Sequence, residues 1–192
     1  RHTRYPLVTG VQTCALPISM ALGTLPFAHE SFDAVVSVHA LALAADPMIL
    51  LEELRRVTVE GGAVVVATWG APRENEWIGA IERAVGRSGG PTLPRVAVVA
   101  ESGNLEALVQ AAGMARVEGI RFSDPLRVAG IDGLWEWAGA LRLWSDPLSE
   151  LSADVNARAR DRLAREFDGR TRGGELVIGR EMTMVRATVP PS

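Results

Sequence analysis

The sequence predicts an α/β fold built on a doubly wound sheet, and three observations carry that prediction. Residues 25–69 (LPFAHESFDAVVSVHALALAADPMILLEELRRVTVEGGAVVVATW) read in order as a loop, an apolar strand, a helix, a Gly-Gly turn and a second apolar strand. Two apolar runs joined by an amphipathic helix form a right-handed crossover with parallel strands, each expected to be buried on both faces. Residues 175–188 read as one long final strand with alternation at Met182, Met184 and Arg186, and pairing it antiparallel to residues 117–122 or to their neighbour completes a sheet. In such sheets a ligand crevice lies beyond the carboxyl ends of the strands.

Each element follows from local chemistry. The β-branched run Phe32–Val38 makes the first strand. Asp46-Pro47 opens the helix, with Asp as N-cap and Pro at the first helical position. Ile49, Leu50, Glu53, Leu54 and Val57 give it a mixed apolar stripe, and Glu52 is spaced to pair with Arg55 or Arg56. Gly61-Gly62 ends the crossover, and residues 63–68 form the second strand. Residues 77–85 read as helical and lead into a Gly/Pro-rich connection at 86–94. A further helix starts at Ser102 and stops at Gly113, before a strand at 117–122. Ile131, Leu134, Trp135, Ala138 and Leu141 share one helical face, and Leu151, Val155, Ala159, Leu163 and Phe167 recur at i, i+4. The arginines between the latter are expected on a solvated face, balanced by Asp154, Asp161 and Glu166.

Bulk properties narrow the function classes. A length of 192 residues suits one domain with its own core, and 47% apolar with 22% charged residues is ordinary for a soluble chain. A net charge of −3 and a pI near 5.7 give no electrostatic case for nucleic acid or an anionic membrane. Cys14 is the one cysteine, so neither an intrachain disulfide nor a cysteine metal site is expected, and a reducing cytoplasm is the expected location. No apolar run reaches the roughly 18–20 residues of a membrane span, and the oligomeric state is not legible.

Residues 1–19, RHTRYPLVTGVQTCALPIS, share no periodicity with the rest of the chain and meet Met20 abruptly. They resemble translated sequencing-adapter read-through and are read as a non-native segment, outside the fold. The domain is expected over residues 20–190, with a helical insertion at about 124–170.

Leu25-Pro26-Phe27, Ser31-Phe32-Asp33, Asp46-Pro47 and Arg56-Val57-Thr58-Val59-Glu60-Gly61-Gly62 occur in an order and spacing that resemble class I S-adenosylmethionine-dependent methyltransferases. The nearer likeness is to the small-molecule branch that includes ubiquinone/menaquinone-type C-methyltransferases, and it continues through Ala111-Ala112-Gly113-Met114 and the final strand. The resemblance implies a Rossmann-like class I methyltransferase sheet, S-adenosyl-L-methionine as cofactor and a small, apolar acceptor. It also implies places for the cofactor. Ala21 and Leu22 stand where the family has an acidic-Ala pair that reads the adenine, and the Leu25-Pro26-Phe27 loop would pass the ring, its backbone groups bonding the edge. Ser37, Val38 and His39, at the end of the first strand, would line the methionine side near the sulfonium. Ala21 departs from the acid, and Val59-Glu60 from a Lys/Arg-Pro pair. No glycine-rich first loop and no ribose-binding acid occur, so the domain reads as N-terminally truncated and cofactor binding as impaired.

His39 is the candidate catalytic residue, able to orient the acceptor or take its proton at a side-chain pKa near 6.5; the bland alternative is a His that caps a loop. Trp135, Trp137 and Trp144 form either an aromatic wall over the acceptor or ordinary helix core, and only Trp137 falls off the main apolar stripe. His29 reads as solvated. Two other functions remain open: a nicotinamide-type dehydrogenase, which would need G-x-G-x-x-G after a first strand, and a non-catalytic binding domain that keeps the fold.

Overall fold

The two apolar runs pair as the crossover requires. The structure is a computed structural model that describes residues 20–94 and 104–191; the expected read-through segment and the helix start at Ser102 lie outside the described residues. Strand β1 (Phe32–Val38) is joined by helix α1 (Pro47–Val57) to the parallel strand β2 (Thr58–Trp69), with Val35, Val36, Ser37 and Val38 opposite Val64, Val65, Val66 and Ala67. Asp46 caps α1 as expected, its Oδ1 accepting the Met48 N–H at 2.8 Å. Helices α2 (Glu76–Arg87) and α3 (Asn104–Ala111) lead to strand β3 (Ala115–Ser123).

A second layer comes next in the chain. It comprises the short strand β4 (Leu126–Val128), helices α4 (Gly130–Gly139), α5 (Ser145–Ser149) and α6 (Ala153–Glu166), and strands β5 (Thr171–Arg172) and β6 (Glu175–Ile178). Strand β7 (Glu181–Thr188) then returns between β2 and β3, antiparallel to both, giving the order β1-β2-β7-β3, while β4-β6-β5 form a separate small sheet.

Four expectations change. The final run is two strands in two sheets, because the chain crosses over at Gly179-Arg180, where Gly179 packs a would-be Cβ 3.1 Å from the Glu74 carbonyl and Arg180 C=O takes the Asp124 N–H at 3.0 Å. The segment expected to be helical, about 124–170, opens with the strand β4, which pairs with β6 of that final run. Gly61-Gly62 is not a turn before β2 but an irregularity within it. The register jumps from Phe32↔Thr58 to Ala34↔Ala63, Gly61 has φ of 76°, and a Cβ on Gly62 would meet the carbonyls of Val59 and Asp33 at 2.8 and 2.9 Å. Finally, β1 is not covered on both faces. Ladder partners share a face, so Val38, Ala67, Met184 and Ile120 form one row and Ser37, Val66, Val185 and Gly119 a row on the other side. The second side packs on Leu50, Leu51 and Leu54 of α1 and Leu105 and Val109 of α3. The first leaves Val36 and Val38 at 65% and 57% exposure.

The helical layer has its own core: Trp77, Ile81 and Val85 of α2 against Leu134 and Ala138 of α4, Ala159 and Leu163 of α6, and Ile178. The i, i+4 face of α6 is buried as expected at Ala159, Leu163 and Phe167, while Arg158 pairs with Asp154 and Arg83 with Glu166 on its solvated side. Asn75 joins this layer to the main sheet. Its buried amide donates to the carbonyls of Ala71 (3.2 Å) and Glu181 (3.1 Å) and accepts from Glu181 N–H (3.1 Å) and Trp77 Nε1 (3.4 Å).

Candidate functional site

The carboxyl ends of β1 and β2 lie side by side because the strands are parallel, and the site grows from there. His39 extends the ladder by one bond, its N–H donating to the Ala67 carbonyl at 2.8 Å. It then turns the chain through a left-handed conformation, φ 57° and ψ 4°, into a single 3₁₀ turn at Ala40–Ala42. Left-handed backbone is costly for a side chain with a Cβ, and such strain collects at functional positions. Leu41 of that turn is fully buried and anchors it beside Leu25, Leu50 and Leu51.

The His39 ring stacks on Trp69, at the end of β2, with centroids 4.2 Å apart and planes at 26°. Its Nδ1 is buried and has no hydrogen-bond partner among the described residues. Burial lowers the imidazole pKa from its usual value, so the ring is neutral at pH 7. Trp69 continues inward, edge-on to Trp77 at 5.3 Å and to Trp137 at 6.0 Å, and Trp137 meets Trp77 at 4.5 Å. Of the three candidate wall tryptophans, then, the one off the helical stripe is the half-buried residue that reaches Trp69. Trp135 and Trp144 are buried in the helical core.

The other expected cofactor positions fall into two groups. Ser37 is buried on the α1 side of the sheet, its Oγ without a hydrogen-bond partner among the described residues, while Val38, on the opposite side, is exposed. At the start of the described chain Ala21 is exposed, and Leu22 packs partly against the same core as Leu25. Leu25 itself is buried, and its main-chain groups, like those of Phe27, already have partners. Leu25 N–H donates to Glu53 and its carbonyl accepts from Phe27 N–H and Arg56, which also binds the Phe27 carbonyl. Backbone contacts of this loop to a ring edge therefore cannot come from the Leu25 or Phe27 amides without breaking bonds. Arg56 pairs with Glu53, at 2.6 Å, rather than with Glu52. This grip escaped the sequence because Glu52 and Glu53 both lie within helical reach of an arginine.

His29 is solvent-exposed, as expected. Among the described residues no cluster of three or more His, Cys, Asp or Glu is placed to hold a metal ion, and no helix is long and apolar enough to cross a membrane. Two hollows of about 490 and 590 Å³ lie away from the strand tips, one bounded by Arg170, Arg172 and Val177 and the other by Ile131, Asn156 and Arg160.

Comparison with known proteins agrees with this layout. Residues 10–66 match the family model described as a methyltransferase domain, a span that begins within the first 19 residues and runs through β1 and α1 into β2. A "putative methyltransferase" of Bacillus halodurans C-125 superposes with a TM-score of 0.56 at 16% identity, over 90% of this chain and 76% of that one. The YcgJ protein of Bacillus subtilis does so with a TM-score of 0.52 at 15% identity, over 89% and 69% of the two chains. The search of curated proteins found no match. The chain has the α/β, Rossmann-like fold of class I methyltransferases, and residues 10–66 carry the sequence pattern of a methyltransferase domain.

Proposed function

We propose that this chain acts in S-adenosylmethionine-dependent methyl transfer to a small, apolar acceptor, in the small-molecule branch that its motifs resemble. The observation that supports the reading most directly is His39: a strained residue at paired strand tips, with a buried nitrogen that has no partner among the described residues. Such an atom is what a bound ligand satisfies. The exposed Val38 beside it offers apolar contact, and Ala21 and Leu22 are proposed to border the nucleoside.

S-adenosylmethionine supplies a methyl group on a sulfonium, which departs as a neutral thioether. The protein's share is alignment, exclusion of water and, for an acceptor that must lose a proton, a base. The neutral His39 imidazole is proposed as that base, held in place by the Trp69 face. Trp137 is proposed to wall the acceptor side, where an apolar ring or chain would replace water.

Calorimetric titration of the 192-residue chain with S-adenosylhomocysteine, followed by amide chemical shifts, tests this. Binding is expected to be weak, because no glycine-rich phosphate- or carboxylate-type loop is present in the sequence, with shifts at residues 21–25 and 37–39. No heat and no shifts at millimolar ligand would overturn the proposal.

A further inference from the structure

Leu25, Pro26 and Phe27 form a three-residue turn closed by the Phe27 N–H on the Leu25 carbonyl at 2.8 Å. So tight a turn does not fix its own place on the protein. Two side chains of α1 do. Glu53 Oε2 accepts the Leu25 N–H at 2.7 Å, while Arg56 donates Nη2 to the Leu25 carbonyl at 3.0 Å and Nη1 to the Phe27 carbonyl at 2.9 Å. Arg56 also donates Nε and Nη2 to the two Glu53 oxygens, at 2.6 and 2.8 Å. An exposed helix pair has no such surroundings, but here the Glu53 side chain is only 17% exposed. The Phe27 ring adds an edge contact to Phe32 at 5.0 Å, which ties the far side of the turn to β1.

The network is closed and charge-assisted, so loss of either side chain strands the groups of the other in a partly dry site. Hydrogen bonds from Arg56, with a smaller share from the Leu25 N–H, hold the Glu53 carboxyl down at about 2, so the clamp keeps its charge across physiological pH.

We propose that Glu53 and Arg56 are positioning residues for the donor site, a clamp that sets the Leu25-Pro26-Phe27 turn and hence the path of Ala21 and Leu22 beside the nucleoside. The proposal rests on the reading of this loop as the adenine side. It assigns the clamp no contact with the donor: its work is to fix main chain that would otherwise have to be ordered on binding.

Glu53→Gln and Arg56→Lys, each nearly isosteric, test it by amide hydrogen exchange and by calorimetry with S-adenosylhomocysteine. Gln removes the charge and one acceptor, and Lys cannot span two carbonyls and a carboxylate at once. In both variants the Leu25 amide is expected to exchange at least about tenfold faster while amides of α1 and β2 keep their protection, and the Kd is expected to rise about tenfold. The double variant should be no worse than the poorer single one, since the pair acts as a unit. Unchanged Leu25 exchange overturns the clamp, and faster exchange throughout α1 and β2 reduces it to a general stability role. A loosened turn with unchanged Kd overturns its part in binding. A wild-type chain whose Leu25 amide is protected but which binds no S-adenosylhomocysteine refutes the adenine-side reading itself, and the proposal with it.

Discussion

Replacing Asn75 by alanine removes a side chain whose four hydrogen-bonding sites are all used. The consequences differ among its partners. The Ala71 carbonyl keeps the Glu74 N–H at 2.9 Å, and the Glu181 carbonyl keeps the Gly70 N–H at 2.8 Å. The Glu181 N–H and the Trp77 Nε1–H, by contrast, each lose the acceptor that Asn75 Oδ1 provides. A stranded buried donor costs about 1–3 kcal/mol, and the Trp77 bond, at 3.4 Å, belongs at the low end. The sum is about 3 kcal/mol, or roughly 6–12 °C in Tm for a chain of this size. Urea titration and calorimetry read it directly. Asn75→Asp sharpens the test, because a carboxylate would turn an oxygen toward the Ala71 and Glu181 carbonyls. That variant should gain stability relative to the wild type as pH falls and the carboxyl is protonated. A loss below about 0.5 kcal/mol for Asn75→Ala, the level of an ordinary surface change, refutes the reasoning.

Further outcomes are expected of the same structure. Because burial lowers the His39 pKa below 6.5, the unfolded chain binds more protons as pH falls under that value, so stability declines from there down to the native pKa. Asn tolerates left-handed backbone, so urea midpoints of His39→Asn should lose that part of the slope; equal slopes would contradict it. Gly62→Ala, which drives a Cβ onto two carbonyls of the β1–β2 junction, should cost about 2–3 kcal/mol. Gly61→Ala, with open space around it but φ of 76°, should cost only about 1 kcal/mol, and thermal melts of the pair should show that order. Trp137→Ala, which empties a half-buried place between Trp69 and Trp77, should cost about 2–3 kcal/mol by denaturant titration. Val36→Lys, on the open face of the sheet, should change stability by less than about 0.5 kcal/mol and lower light scattering on concentration.

What the sequence revealed was what local chemistry controls. The β-branched runs, the Asp46 cap and the i, i+4 face of α6 each announce themselves within a dozen residues, and the structure keeps them. The antiparallel course of the final strand was also legible, though not its seat between β2 and β3. The break at Gly179-Arg180 was hidden because apolar residues continue on both sides, and only the main chain of Glu74 requires it. The site divides the same way. His39 could be placed at a strand tip from its position alone, whereas its stacking on Trp69 depends on the parallel register, and the hold of Glu53 and Arg56 on Leu25 joins residues 28 and 31 apart. The importance of Asn75 had no sequence signal, since its partners lie 106 residues away as well as next to it.

All five tryptophans, Trp69, Trp77, Trp135, Trp137 and Trp144, belong to the helical core or its border, and none lies in the core formed by α1, α3 and the back of the sheet. Intrinsic fluorescence is thus an optical reporter for one half of the molecule. Far-ultraviolet circular dichroism averages over both halves. Superimposable melts by the two methods would mean that the halves come apart together, tied by the amide of Asn75 as well as by the indole that His39 leans on; a lag between them would resolve two melting units within one chain.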